Sequence, residues 1–493
     1  MNILLIYPKF PQTFWSFSFA LPFVGKKSAF PPLGLLTVAA LLPKHFQLRL
    51  IDMNVDSLND TDLSWADLAF ISAMTVQRES VERVIGRCQR SGLKIVAGGP
   101  LFTSMPGKFG QVDHLVLGEA EATLPAFLED LKKGSTKSIY RASEFPDIRS
   151  SPAPLWKLIN IRHYAALCIQ YSRGCPFNCE FCNITSLFGR SPRNKSPGQI
   201  VLELNAIYKI GWRGSVFFVD DNFIGNKRIL KKQLLPELIL WRLKKKGCPF
   251  LTETSINLAD DPELLCMMVK AGFDSVFIGI ETPHDESLAE CQKKHNRTRD
   301  LLQDIKTIQR SGLQVMGGFI VGFDNDPPSI FQRQVDFIQQ TGIVTAMVGL
   351  LQAPPGTRLF RRLKKANRIS RDFSGDNVGS TTNIIPSMGL EKLNTGYQSI
   401  MRQLYAPKNY YKRIRVFLSE IKRPSVIVSF DIQRLHAFWR ASLHLGILGK
   451  ERVQFWKLMT WALTHRPRLL PLAVTLAIYG YHYRRICELH VFK

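Results

Sequence analysis

Short apolar runs alternate with amphipathic segments over the first 140 residues. The apolar runs are rich in β-branched and aromatic residues and lie at residues 3–7, 47–51, 68–72, 94–97 and 114–117. The segments between them, such as residues 33–42 and 80–91, carry apolar positions at helical spacing. Strands that alternate with helices predict a parallel, doubly wound α/β sheet, and a ligand of such a sheet binds beyond the carboxyl ends of its strands.

A stretch rich in proline and serine at residues 143–154 predicts a linker, after which the alternation resumes. The later strands are predicted at residues 167–171, 215–219, 250–256, 275–280, 315–321 and 345–350. Six strand–helix repeats predict a partial (β/α)6 TIM-like barrel, again with its chemistry at the carboxyl ends of the strands. The predicted domains are a Rossmann-like domain at residues 1–142, a linker at 143–164, the partial barrel at 165–363 and a mainly helical, basic region at 364–493.

The charge of the chain is concentrated near its C-terminus. Of 493 residues, 45% are apolar and 21% are charged, which is the composition of a folded protein. The formal net charge is +25, but residues 1–140 hold 14 Lys and Arg against 12 Asp and Glu, a net of +2, whereas residues 401–493 hold 17 against 4, a net of +13. Such a region suits nucleic acid, an anionic membrane surface or a solvated protein face.

Three of the nine cysteines, Cys175, Cys179 and Cys182, form a CxxxCxxC motif directly after the first predicted barrel strand. This spacing favours metal ligation in a reducing compartment, and the opening MNILLIYP lacks the features of a secretory signal, so we expect a cytoplasmic protein. Three thiolates on one tight loop can hold three irons of a [4Fe–4S] cluster and leave the fourth iron open. The alternatives are unrelated thiols or a zinc site, which would need a fourth ligand; the nearest further thiol, Cys168, lies inside the preceding strand.

A CxxxCxxC motif that opens a βα barrel resembles the radical S-adenosylmethionine (SAM) superfamily, in which the open iron chelates the amino and carboxylate groups of SAM. Polar residues and glycines follow the later strands, where they can bind the ribose and methionine ends of SAM and admit its adenine. The SAM contacts that the resemblance implies are Phe181, Asp220, Ser255, Glu281, Gly317, Gly318 and Gln352. For an acidic residue among them, a helix N-cap or a solvated loop carboxylate remains the structural alternative.

A doubly wound domain directly before such a barrel resembles the cobalamin-binding branch of the superfamily. The loops after its strands would hold the corrin, and the implied contacts are Ser72, Thr75, Gln77, Gly98, Gly99, Pro100 and Glu119. The D-x-H-x-x-G motif of some corrinoid proteins is missing, because the first strand continues Tyr7-Pro8-Lys9. We therefore expect the lower face of cobalt to be unligated or held by another residue.

The sequences at residues 7–17, 30–37 and 171–177 are similar to those of a bacterial subgroup that includes the hopanoid methylases. This resemblance implies methyl transfer to an unactivated carbon of a small, lipid, hopanoid-like substrate, with an electron donor such as flavodoxin or ferredoxin. SAM would supply both the radical that abstracts hydrogen and the methyl group that cobalamin carries. A radical cyclase or rearrangement enzyme and a non-catalytic cobalamin sensor remain alternatives. A methylthiotransferase is less supported, because Cys88 is the only cysteine of the N-terminal domain.

The C-terminal region carries no motif that points to chemistry. Its run at residues 469–483 has no charged residue but is shorter than the roughly 20 residues of a spanning helix. Arginines flank the run, and Trp456 and Trp461 precede it. Two interpretations stay open: a helix that makes peripheral contact with an anionic membrane surface, and a helical cap packed over the barrel. RNA binding has least support, because no RNA-binding module is recognisable.

Overall fold

The N-terminal part of the chain is a six-stranded parallel sheet in the order β2-β1-β3-β4-β5-β6. The computed structural model describes residues 1–376, 378–379, 382–422 and 432–492. The elements of this part are β1 Asn2–Tyr7, α1 Leu33–Leu41, β2 Gln47–Asp52, α2 Asp60–Trp65, β3 Leu68–Ser72, α3 Arg78–Arg90, β4 Lys94–Gly98, α4 Pro100–Ser104, β5 His114–Leu117, α5 Ala120–Lys133 and β6 Ile139–Arg141.

Helices cover both faces of this sheet. Ile3 and Leu5 of β1 pack into a core that includes α1 and α5, whereas Leu4 and Ile6 pack into one that includes α3 and α4. Because both faces are buried, the strand reads as a continuous apolar run and not as an alternation. The prediction of a doubly wound α/β sheet is confirmed, and its switch point lies between β1 and β3. The three-residue strand β6 was not predicted.

A second sheet of six parallel strands, in the order β14-β13-β12-β11-β10-β7, forms the predicted partial barrel. Its strands are β7 Ala166–Ile169, β10 Ser215–Phe218, β11 Phe250–Thr254, β12 Phe273–Glu281, β13 Gln314–Val321 and β14 Ala346–Leu350. Strands β8 Ser172–Arg173 and β9 Arg193–Asn194 form a separate two-stranded antiparallel sheet. The helices are α6 Ile184–Phe188, α7 Pro197–Lys209, α8 Lys227–Ile229, α9 Leu235–Lys244, α10 Pro262–Ala271, α11 Asp285–Glu290, α12 Leu301–Ser311, α13 Ile330–Thr341 and α14 Arg358–Lys365. All eleven predicted strands are present, with ends within two residues of the predicted ones.

After the barrel, the described residues form the α-helices α15 Leu390–Tyr405, α16 Pro407–Glu420, α17 Ile432–Ala441, α18 Arg452–His465 and α19 Leu470–Ile486. The buried guanidinium of Arg413 fixes α16 to the barrel, since it donates to Gln339 Oε1 of α13 at 2.8 Å. Tyr405 of α15 donates to the carbonyl of Ala346 in β14 at 2.5 Å. These contacts support the helical-cap interpretation.

The apolar run at residues 469–483 is largely buried inside the C-terminal region, so this run does not itself form a helix on a membrane surface. Peripheral membrane contact of the region stays a prediction. It forms most of α19, and Tyr410 of α16 donates to the carbonyl of Leu476 at 2.8 Å. His482 contacts the N-terminal segment, where its ring lies 3.1 Å from the carbonyl oxygen of Phe14. Within the described ranges, no helix combines the length and the hydropathy needed to cross a bilayer.

Candidate active site

The three motif cysteines lie on the loop that runs from β8 to α6. Gly174 begins this loop with φ +95°, and a Cβ at this position would lie 3.0 to 3.1 Å from the carbonyl oxygens of Gly189, Phe188 and Ser191. Glycine is therefore required both by the backbone conformation and by the close approach of the returning chain.

Two carboxylates that follow β10, the buried Asp220 and the half-buried Asp221, hold the start of the cysteine loop. Asp220 accepts hydrogen bonds from the backbone N–H groups of Tyr171 and Ser172 and, at 2.5 Å, from the Ser172 hydroxyl. Asp221 accepts from the N–H of Gly174 at 2.9 Å. Neither residue is a helix N-cap, and Asp220 is buried, so both structural alternatives for it are wrong. Both oxygens of Asp220 already accept hydrogen bonds from the loop. The contact of Asp220 with SAM stays a prediction.

Glu253 of β11 lies close to these two aspartates. Burial raises the pKa of Glu253 to about 8, that of Asp220 to about 7 and that of Asp221 to about 6. The negative charges of the two aspartates add to the shift at Glu253. In the part of the chain that the structure describes, the Glu253 carboxyl has no hydrogen-bond partner, which leaves it available to a ligand.

The donor set of the loop fits a [4Fe–4S] cluster. The backbone N–H groups of Phe177 and Ile184 favour the thiolate forms of Cys175 and Cys182 and so lower the pKa of these thiols, as amides do around cluster thiolates. Burial raises the pKa of Cys182 to about 12, so iron binding would have to displace this proton. Among the described residues no His, Cys, Asp and Glu side chains group around one metal ion. In a cluster, each of the three thiolates instead binds its own iron.

A buried ion pair lies beside the cysteine loop. Lys293 donates to Glu281 at 2.6 Å, and the ammonium is close enough to Cys179 to interact with it electrostatically. Glu281 has φ +65°, which is rare for a residue with a side chain, and a Cβ at Gly279 would clash with the pair. The Glu281 carboxylate thus already binds Lys293, and its contact with SAM stays a prediction.

The other predicted SAM residues lie on several strands and loops. The ring of Phe181 lies 6.0 Å from the Lys293 ammonium, and Ser255 donates to Asn257 Oδ1 at 2.6 Å. Gly318 faces Phe277 on the inner face of the barrel, whereas Gly317 faces Phe319 and Ile343 on the helix side. Gln352 donates to the carbonyl of Asp376 at 2.5 Å and keeps a buried Oε1 without a partner. Gln352 thus presents an unpaired atom to a ligand, whereas a Cβ at Gly318 would lie 2.9 Å from the ring of Phe277.

The predicted cobalamin loops meet at the carboxyl ends of β3, β4 and β5. Gly99 has φ +89°, and a Cβ there would lie 2.6 Å from the hydroxyl oxygen of Ser72. A Cβ at Gly98 would lie 2.7 Å from the carbonyl oxygen of Val116, and Pro100 opens α4. Thr75 lines a 330 Å³ cavity at the switch point, together with Lys9, Phe10 and Arg78.

Two of the predicted cobalamin residues are engaged within the protein. Gln77 donates to the carbonyl of Pro8 at 2.5 Å and accepts from the N–H of Met74 at 2.8 Å, so it joins the β1 and β3 loops. Glu119 pairs with Arg173 at 2.6 Å and with Arg193 at 2.5 Å. Their contacts with cobalamin stay predictions, whereas their side chains hold loops and domains together.

The carboxyl edge of the N-terminal sheet faces the barrel. Asp52, the last residue of β2, accepts from the hydroxyl of Tyr164 at 2.9 Å. Glu121 pairs with Arg173 at 2.8 Å, and burial opposed by this arginine leaves the pKa of Glu121 at about 2. The two histidines of residues 1–142 are remote from this edge, since His45 precedes β2 and His114 begins β5. This agrees with the absence of a D-x-H-x-x-G ligand.

The segment after β1 carries aromatic side chains into the barrel. Trp15 packs on Phe277 of β12 with ring centroids 5.2 Å apart, and Phe30 packs on Phe217 of β10 at the same distance. Both partners lie on the inner face, because their neighbours along each strand pack on the helices. A group bound at the switch point would therefore lie beside the barrel interior.

Sequence reasoning missed residues that act across the domain boundary. Arg173 directly precedes Gly174, and that position was the one available signal for its role. Arg193 lies in the two-residue strand β9 and Lys293 in a loop, and neither segment carries a periodic pattern, so nothing in the sequence distinguished them from solvated cations. Glu253 lies within the third barrel strand but was not among the predicted site residues.

Comparison with known proteins agrees with this arrangement. Residues 27–128 match the B12 binding domain, residues 169–338 the radical SAM superfamily, and residues 357–492 a domain of unknown function (DUF4070). An uncharacterized methyltransferase of Synechocystis sp. is 41% identical over 99% of this chain and 92% of its own length. The hopanoid C-2 methylase of Rhodopseudomonas palustris is 33% identical over 92% of this chain and 88% of its own length.

The fold has a solved counterpart in the cobalamin-dependent SAM radical enzyme OxsB with aqua-cobalamin bound. The TM-score is 0.63 at 16% identity, over 99% of this chain and 80% of that one. This likeness concerns the fold alone, whereas the two full-length relatives share the sequence as well. The chain therefore belongs to the cobalamin-binding radical SAM enzymes, a family whose cofactors are a [4Fe–4S] cluster, SAM and cobalamin.

Proposed function

We propose that this enzyme transfers a methyl group to an unactivated carbon of a lipid substrate of the hopanoid type. The observation that carries the proposal is the 33% identity to a hopanoid C-2 methylase over 92% of the chain. The position of the switch point beside the barrel interior supports the proposal, because the radical and the methyl donor must both reach the same substrate carbon.

Within this proposal, Cys175, Cys179 and Cys182 hold the cluster, the barrel at residues 165–363 binds SAM, and residues 1–142 bind cobalamin. When bound, the cluster supplies the electron that cleaves SAM, and cobalamin supplies the methyl group. Asp220 and Asp221 hold the loop that carries the cysteines. Trp15 and Phe30 exclude water from the inner face of the barrel, where a carbon radical would otherwise be quenched.

The proposed partners are the lipid substrate and a small reductant of the flavodoxin or ferredoxin type. The predicted SAM contacts Phe181, Ser255, Gly318 and Gln352 are kept as part of the proposal. The predicted corrin contacts Ser72, Thr75, Gly98, Gly99 and Pro100 are kept as well, because their loops share the edge that faces the barrel.

The test is a lipid profile by mass spectrometry from a hopanoid-making host that lacks methylated hopanoids. The host expresses the intact chain, a Cys179→Ala variant, or a Cys266→Ala variant, in which an exposed thiol outside the motif is removed. We expect methylated hopanoids with the intact chain and with Cys266→Ala, and none with Cys179→Ala.

An unchanged lipid profile from protein that carries iron and cobalamin would contradict the hopanoid substrate. Deoxyadenosine formed without any methylated product would instead favour a radical rearrangement. A protein that binds cobalamin but does not cleave SAM would favour a sensor.

A further inference from the structure

Helices α17 and α18 and the segment between them, residues 442–451, expose apolar side chains that no part of the described chain covers. Trp439 is 70% exposed, Leu448 69% and Ile447 59%. On α18, Val453, Trp456, Thr460 and Leu463 recur at helical spacing and lie on the face opposite the buried Phe455, Leu458 and Ala462. We call this set of exposed residues the apolar patch. Soluble surfaces seldom concentrate two tryptophans and several aliphatic side chains in this way.

The cations around the apolar patch have no acidic partner in the described ranges. Lys450, Arg452 and Lys457 are exposed and take part in no ion pair there. The three described acidic residues of the region after residue 400 are already engaged: Glu420 with Arg310, Glu451 with Arg484 and Glu488 with Arg485. The surface thus combines exposed tryptophans with uncompensated positive charge.

We propose that the apolar patch docks the enzyme on an anionic lipid bilayer. Trp439 and Trp456 suit the headgroup level, where amphipathic rings partition, while the aliphatic side chains enter the acyl boundary. The three cations bind the lipid phosphates. A second copy of the chain fits the surface less well, because a two-fold contact would bring the same cations face to face.

Residues of α17 and of the segment after it are held by the N-terminal part of the chain, so the patch is presented on a fixed support. Arg440 donates to the carbonyl of Pro22 at 2.7 Å, and the ring of His444 packs on Phe23 at 5.6 Å. Docking therefore needs no refolding of these helices. It is also independent of the substrate, since it concerns a surface outside the catalytic domains.

The experiment is co-sedimentation of the purified full-length protein with vesicles of phosphatidylcholine, with or without phosphatidylglycerol. We expect binding to the anionic vesicles, weakened by high salt. The triple variant Lys450→Gln/Arg452→Gln/Lys457→Gln should bind roughly 100-fold more weakly, at about fivefold per cation. The matched control Lys209→Gln/Lys244→Gln/Lys246→Gln removes exposed cations elsewhere and should bind normally.

A second variant tests the apolar contribution. Trp439→Ser/Ile447→Ser/Leu448→Ser should abolish sedimentation with anionic vesicles, whereas Leu202→Ser/Leu240→Ser/Leu243→Ser, which alters exposed leucines of α7 and α9, should not. Three results would overturn the proposal: equal binding by the patch variants and wild type, equal binding to neutral and anionic vesicles, or a self-association by light scattering that only the patch variants lose. Because hopanoid methylation is not measured, the docking proposal can fail or succeed apart from the proposed function.

Discussion

The ion pair between Glu119 and Arg193 should couple the N-terminal domain to the cysteine loop by a measurable free energy. The Glu119 side chain is 2% exposed and that of Arg193 is 19% exposed. Two charges about 4 Å apart attract by roughly 4 kcal/mol at an effective dielectric constant of about 20. Because Arg193 keeps some access to water, we expect a coupling energy of about 2 kcal/mol.

A double-mutant cycle with Glu119→Gln and Arg193→Gln measures this coupling. Unfolding in urea is followed by tryptophan fluorescence, to which Trp15 at the domain interface contributes. The matched cycle Glu129→Gln and Lys133→Gln removes an exposed pair of the same domain and should show no measurable coupling. If both cycles gave the same value, the argument that the pair joins the two domains would be refuted.

Three further predictions concern the interior of the site. Burial raises the pKa of Glu253 to about 8, so the stability of the metal-free protein against unfolding should fall as pH rises from about 4.5 through 8. In thermal unfolding, Glu253→Gln should therefore be more stable than wild type at pH 9 and equally stable near pH 4.5. Gly174→Ala should lose about 1 to 3 kcal/mol and bind less iron in a colorimetric assay, whereas Gly92→Ala, also at positive φ but with open space around it, should keep its iron. Glu281→Gln leaves Lys293 buried without its partner and should cost about 3 to 5 kcal/mol of unfolding free energy in urea; an unchanged value would contradict the pairing.

Much of the fold could be predicted because its strands are buried in a regular way. The continuous apolar runs of β1 and β3 leave few interpretations other than strands of a parallel sheet. Strand β6 escaped prediction because three residues, of which only Tyr140 is buried, carry no periodic signal. The charge-free run of α19 suits a surface helix as well as a buried one, and only the packing of its partner helices decided between them.

The cysteine motif was predictable because its ligands are close in sequence, whereas the residues that hold it are not. Glu119 and Arg173 are 54 positions apart and belong to different domains, so their pairing depends on how the domains dock. The same holds for Asp220, which follows β10 but whose oxygens bind the start of a loop 48 residues earlier. The cofactor loop could therefore be identified from local sequence, whereas the residues that hold it in place could be identified only from the tertiary structure.

The aromatic bridge between the N-terminal segment and the barrel limits how this enzyme can be recombined with its relatives. Trp15 and Phe30 belong to the Rossmann-like domain in sequence but fill space on the inner face of the barrel against Phe277 and Phe217. A chimera joined at the linker, residues 143–164, would replace these two aromatic side chains together with the N-terminal domain. The barrel of the other protein would then contain voids or steric clashes. A functional chimera should therefore take residues 8–32 and the barrel from the same protein.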